Sequence, residues 1–370
     1  MPFQYGGSLR RDVSEIRLLT LHRGSWGDKL ACTTTAMPLT DKPSYRALSY
    51  VWGNKRNTVS LLVDGQCFHA TVNLAAALHH LRKEAEEVVL WVDAICINQN
   101  DDVEKSYQVA MMRNIFESAQ EVAMWIVDPQ RANTFTPEGA HLSPSARFQD
   151  PFTLIRRCVD YEHLSEWSCF HMNTETKKVE YRSTPEWDQL MSGLTAVTES
   201  PWFTRVWTVQ EWAVAREAIL MYGQATIDPW TLTLASHRLL CHMKCCGLLA
   251  QKVFHDFAGL YLAFEMIELL CKKKVSRKDI SYTVKHTFYS AWDYLWMRRS
   301  TDPKDRVFGL LGLGLTKHEC FPEYSKSVRS IFVQFSFLSI QDTSSLESYS
   351  TTGVPLITCR AGVSIGMKKS

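Results

Sequence analysis

Apolar and polar positions follow one another along the chain, as far as Val127, in a way that predicts alternating strands and helices. Ile16 to Leu21 reads as a short strand, and Tyr45 to Trp52 as another, stopped by Gly53-Asn54. Val59 to Val63 and Cys67 to Ala70 flank Asp64-Gly65, a pair that tolerates positive φ, so a hairpin follows. Asn73 is expected to cap a helix reaching about Glu87. The nearly continuous apolar run from Val88 to Ile97 predicts a central strand covered on both faces. Asp101 and Asp102 then open a helix in which Val109, Met112, Phe116 and Ala119, three or four apart, form one buried stripe. Val122 to Val127 supplies the next strand. Strands alternating with helices predict an α/β fold, a parallel sheet flanked by helices with right-handed crossovers.

Past Pro129 the periodicity dissolves into prolines, serines, threonines and single charges, too long a stretch for a plain loop. An insertion is expected over about 129–184, with a helix around Phe152 to Tyr161 and the rest irregular. Pro185 begins a new helix at its favoured first-turn position, Pro201 leads into a further helix through about Glu217, and Ala218 to Tyr222 is a strand closed by Gly223. The chain therefore divides into an α/β domain over 1–228 and a mainly helical appendage over 229–336, with an irregular tail over 337–370. Within the appendage, amphipathic stretches are expected near Leu248 to Leu270 and His286 to Met297.

Composition narrows the function classes. The chain has 370 residues, 45% hydrophobic and 22% charged, which excludes a mostly disordered, collagen-like or coiled-coil protein. Lysine plus arginine at 41 against aspartate plus glutamate at 39 leaves no global field to select nucleic acid or an anionic membrane. No apolar stretch reaches the roughly 20 residues of a membrane span, and none near Met1 has signal-peptide length. Eleven cysteines, an odd number set mostly in apolar surroundings, point to reduced thiols and a cytoplasmic protein. The one basic run, Lys272 to Lys278, reads as a solvated loop or as a nuclear address.

Four blocks carry the chemical information: Ala47-Leu-Ser-Tyr-Val-Trp-Gly53, Leu90-Trp-Val-Asp-Ala-Ile-Cys-Ile-Asn-Gln99, Pro201-Trp-Phe-Thr-Arg-Val-Trp-Thr-Val-Gln-Glu211 and Asp302-Pro-Lys-Asp-Arg-Val-Phe-Gly-Leu-Leu-Gly312. Together, and in this order, they resemble the fungal heterokaryon-incompatibility (HET) domain, from about Ile16 to Gly223 and again from Asp302. That family is in turn similar to TIR domains, flavodoxin-like α/β modules some of which cleave NAD. The resemblance implies a TIR-like sheet, a role in self/non-self recognition and regulated cell death, and partners met by self-association or through an incompatibility partner protein. No cofactor is implied, although NAD is a candidate substrate. The chain departs from the family where Val127-Asp128-Pro129 replaces a leucine-glycine pair.

Individual residues follow from both sources. Asp93 lies in an apolar run, where a carboxylate must be paired, hydrogen-bonded or protonated. It and Asn98-Gln99 are expected toward the carboxyl end of a strand, where open parallel sheets hold ligands. Asp93 could equally cap the next helix or pair with Arg205. Glu211, four residues after Trp207, shares that helix face, and the TIR resemblance makes it the catalytic acid of NAD cleavage. The bland alternative is an ion pair with Arg205 or Arg216. Ser49, Tyr50, Trp52 and Gly53 end a strand where TIR-like proteins set a loop against the nucleotide, with Gly53 allowing close approach; core packing is the alternative for Trp52. Arg205, Trp207 and Gln210 complete the expected substrate-binding set. No metal site is expected: Cys241-His-Met-Lys-Cys245-Cys246 lacks a second Cys/His pair at zinc-finger spacing and reads as structural thiols on a helix. Cys96, between isoleucines, is not a nucleophile, and Asp302 to Arg306 reads as a capped helix start with a packing role.

Overall fold

The computed structural model describes residues 3–137, 150–160, 163–176, 179–247, 298–313 and 321–343. The main sheet has nine strands: β1 (Glu15–Leu21), β2 (Ala31–Pro38), β3 (Arg46–Tyr50), β4 (Thr58–Val63), β5 (Gln66–Thr71), β6 (Val88–Trp91), β7 (Glu121–Trp125), β10 (Ala218–Tyr222) and β11 (Ala225–Ile227). A separate two-stranded sheet is made by β8 (Phe170–Met172) and β9 (Val179–Tyr181) within the insertion, where no regular element was expected beyond a helix.

The strand order is β11-β10-β7-β3-β6-β1-β2-β4-β5. Its centre is parallel as expected, β10 on β7, β7 on β3 and β3 on β6. The flanks depart from the parallel expectation at β1, which runs antiparallel to both β6 and β2, and at the β10–β11 hairpin, while β4–β5 is the hairpin expected around Asp64-Gly65. For β1–β2, β4–β5 and β10–β11 the reason is connection length, since a parallel partner needs a long crossover and only a short connection separates each of these pairs. The Asp64-Gly65 turn forms as read, both residues at positive φ (52° and 73°).

Helices α1 (Val72–Leu81), α2 (Asp93–Cys96), α3 (Asp102–Ser118), α4 (Thr153–Val159), α5 (Pro185–Thr198), α6 (Val206–Ala213), α7 (Pro229–Cys245), α8 (Asp305–Leu311) and α9 (Val328–Thr343) complete the described elements. Asp101 caps α3, its carboxylate accepting from the Val103 and Glu104 amides, and Val109, Met112, Phe116 and Ala119 are buried as the spacing predicts. Pro185 opens α5 behind the Thr184 cap. Helix α6 lies against β3, α3 and α8, and so ties the segment after residue 298 to the sheet domain.

Three expectations change. The apolar run from Val88 is a strand only to Trp91; Asp93–Cys96 form a helical turn, with Ile95 and Cys96 wholly buried beside β1. A run that is apolar because it is buried all round does not distinguish strand from helix. Asn73 is not the cap of α1: Thr71 accepts from the Leu74 amide, and the helix ends at Leu81. Helix α9 continues to Thr343, into the stretch read as tail. The amphipathic stretches near Leu248 to Leu270 and His286 to Met297, and the basic run at Lys272, lie outside the described residues. Among the described residues no helix is long and apolar enough to cross a membrane.

Candidate functional site

The four parallel strands, taken in chain order, are arranged second, first, third, fourth, so β3 is where the winding reverses. Strand β6 pairs with β3 only at Arg46 and Ala47, whereas β7 follows β3 to Tyr50. The last residues of β3 therefore project past β6, and the turn into α2 delivers Asp93 to the space left beside them. Crevices of this kind outside the carboxyl ends of the strands are the usual ligand position of open α/β sheets.

Two carboxylates meet there, Glu211 buried and Asp93 half-buried. Glu211, on α6, is 8% exposed and accepts a hydrogen bond from the Ser49 hydroxyl of β3. The same hydroxyl oxygen accepts from Trp202 Nε1 at 2.8 Å, so an indole, a serine and a glutamate form one chain of hydrogen bonds. Burial pushes the Glu211 carboxyl up to about 7; the Ser49 bond and Arg205 act against this, and the Asp93 charge adds to it. Among the described residues Glu211 makes no ion pair with Arg205 or Arg216, although the Arg205 charge favours its ionised form.

Asp93 neither caps α3 nor pairs with Arg205. Its Oδ2 accepts from Trp52 Nε1 at 2.7 Å, and its Oδ1, closed off from solvent, has no hydrogen-bond partner. Burial holds its carboxyl above the usual range, against the pull of the Trp52 bond and Arg205. The Tyr50 hydroxyl is also buried without a well-aligned partner, although it lies close enough to Asp93 for each to shift the other. Stranded polar atoms are uncommon in folded proteins and cluster where a site does something other than pack.

The remaining expected residues separate. Trp52 bridges Asp93 and Lys55, whose ammonium lies 4.8 Å over the indole. Gly53 has φ +79°, and a Cβ there would come within 2.9 Å of Pro129, so its open face is occupied by the start of the insertion and is not available to a ligand. Gln99 reaches Asp93 through its backbone carbonyl (3.0 Å), while Asn98 is bound to Glu104 at the start of α3. Arg205 joins the η turn Pro201–Thr204 to α6; its guanidinium acts on both carboxylates electrostatically and makes no hydrogen bond with a described residue. Gln210 and Trp207 face away. The Gln210 amide, oriented by its partners, reaches the Gly309 carbonyl at 3.3 Å, and Trp207 packs toward Gly309 and Asp305.

Sequence reading missed two supports. Asn73 donates to the Val51 carbonyl (2.6 Å) and accepts from Trp125 Nε1 (2.8 Å), tying the ends of β3 and β7 together. Trp202, wholly buried, holds Ser49. Only the tryptophan had a signal, its place in the Pro201 block. The packing role read for Asp302 to Arg306 is richer in the structure: Lys304 holds the Tyr324 carbonyl at 2.5 Å, and Asp305 takes the Tyr324 hydroxyl at 2.6 Å. A cleft of about 320 Å³ between α4 and the start of α7 includes none of the expected site residues.

A doubly wound centre with an acidic crevice at its switch point defines an α/β module built around the Ser49, Asp93 and Glu211 constellation. Residues 45–211, from the strand that carries Ser49 to Glu211 itself, match the family model of the Heterokaryon incompatibility protein (HET). It is 29% identical over 380 residues to the Heterokaryon incompatibility protein 6, OR allele, of Neurospora crassa, an alignment covering 92% of this chain and 54% of that protein. The chain thus spans about half the length of the curated relative it matches. No solved structure matches it.

Proposed function

We propose that this chain acts in heterokaryon incompatibility, triggering regulated cell death, and that it does so by cleaving the nicotinamide–ribose bond of NAD at the crevice closed by Glu211. One observation supports the reading above the others: a carboxylate that makes no ion pair among the described residues, its proton affinity raised to about 7, buried at the end of the first-wound strand. The resemblance to TIR domains supplies the chemistry. The C1′–N bond breaks, its electron pair goes to the pyridinium nitrogen, and neutral nicotinamide leaves. The ribose becomes oxocarbenium-like, ionised Glu211 steadies that charge, and water adds at C1′ and releases a proton to solvent. Tyr50 and Trp52 line the crevice, Asp93 and Arg205 set its field. The test is nicotinamide release by purified protein, as prepared and after forced clustering, beside E211Q. Release that vanishes in E211Q is expected; no release from clustered, folded protein overturns the catalytic reading.

A second reading draws on the same site's closure. With Glu211 8% exposed and Asp93 Oδ1 sealed, the polar cluster also suits a non-catalytic TIR-like module that signals by self-association or partner binding. Cell death on overexpression that persists unchanged in E211Q is its expected signature.

A further inference from the structure

His163, His242 and Cys246 meet where the insertion touches the end of α7, although His163 and Cys246 are 83 residues apart in the chain. His242 and Cys246 are four apart and share one face of the helix terminus; Cys246 is its C-terminal cap, with its amide donating to the His242 carbonyl at 2.7 Å. His163 enters from the loop before the turn Leu164–Glu166, which is anchored by the wholly buried Leu164.

The geometry is that of a coordination sphere. Cys246 Sγ lies 3.7 Å from Nδ1 of His163 and 3.7 Å from Nδ1 of His242, and one ligand atom from each residue falls within 4.8 Å of the others. With Zn–S near 2.3 Å and Zn–N near 2.0–2.1 Å, a tetrahedral site has a sulfur–nitrogen edge of about 3.6 Å. Both observed sulfur–nitrogen edges, at 3.7 Å, lie close to it. One thiolate and two imidazoles are a donor set suited to zinc, and too soft for magnesium or calcium. His242 is buried, Cys246 half-buried and His163 exposed, so the cluster opens to solvent on the His163 side.

We propose that His163, His242 and Cys246 bind one zinc ion, which pins the insertion to the C-terminal end of α7. The assignment is independent of any catalysis at Glu211.

The full chain, stripped with EDTA, is titrated with Co²⁺ and then Zn²⁺. One equivalent of cobalt with a thiolate-to-metal charge-transfer band, displaced by zinc, is expected. C246S loses the band, and H163A weakens zinc binding by roughly 100-fold or more while its circular dichroism is unchanged. C241S, which removes an exposed thiol on the same helix, binds like the parent. Zinc raises Tm in the parent and in C241S but not in H163A. Absence of a charge-transfer band, its persistence in C246S, or its loss in C241S overturns the site and leaves Cys246 as a thiol hydrogen-bonded to two imidazoles.

Discussion

Glu211 shows how one buried side chain can oppose stability. A carboxyl held near 7 in the fold and near 4.5 in the unfolded chain keeps its proton longer when folded, so its contribution is fully present below about pH 4.5 and is lost as pH rises through about 7. Neutral glutamine preserves the shape and still accepts from Ser49. Relative to E211Q, the parent should therefore lose stability between those pH values, by up to roughly 3 kcal/mol, and urea unfolding at several pH values reads the difference. The difference is the measurement to make, because His80, packed between Trp26 and Trp125 and pushed down to about 4, acts in the opposite sense over an overlapping range. If ionised Glu211 steadies the transition state, nicotinamide release should rise with pH through about 7, and a flat profile would remove it from the chemistry. Ser49→Ala strips the bond that restrains the Glu211 proton affinity and leaves the Trp202 indole unpaired, a cost of about 1–3 kcal/mol with the activity midpoint moved to higher pH.

At the scale of elements, the crevice depends on cross-links between strand ends. Asn73 holds both β3 and β7, and Asn73→Ala leaves the Val51 carbonyl and the buried Trp125 indole without partners. A loss of about 2–4 kcal/mol in chemical denaturation is expected, well beyond the ordinary surface range. The docking of α8 on α6 is tested by Gly312. A Cβ there would fall 2.1 Å from the Gln210 amide, itself 1% exposed and bound to Gly309, so the glutamine has nowhere to retreat. Gly312→Ala should cost about 1–3 kcal/mol, whereas Gly27→Ala, with open space around it, should be near neutral. Legibility at this scale was uneven for a physical reason. Hairpin turns, caps and helix stripes are local chemistry, and Asp64-Gly65, Asp101 and Pro185 all sit where they were read. Asn73 was misread because capping and long-range bonding use the same amide, and only tertiary neighbours choose between them.

Across the whole molecule, the buried Arg17–Glu104 pair joins the antiparallel flank of the sheet to the helix layer. Their contact is 3.0 Å with both side chains under 8% exposed, and Arg17 also donates to the Cys96 carbonyl at 2.7 Å. Arg17→Met strands the glutamate and should cost about 3–5 kcal/mol. The double variant R17M/E104M should recover most but not all of it, because the Cys96 carbonyl and the Asn98 amide stay unpaired. Thermal unfolding of the three variants distinguishes a buried ion pair from a pair exposed to water, for which all changes would be below about 1 kcal/mol.

The amino-acid sequence by itself determined the alternation of strands and helices, the parallel centre of the sheet and the match to the HET family model, and it singled out Ser49, Asp93 and Glu211, because each rests on periodicity, local turn chemistry or contiguous motifs. Only the tertiary structure decided that Glu211 meets Ser49 rather than an arginine, that Gly53 is filled by Pro129, that Gln210 belongs to the α8 contact, and that His163 joins His242 and Cys246. These are pairings between distant segments. They depend on strand order and helix rotation, which no local pattern encodes, and on burial, which turns a polar side chain into a group that must find a partner.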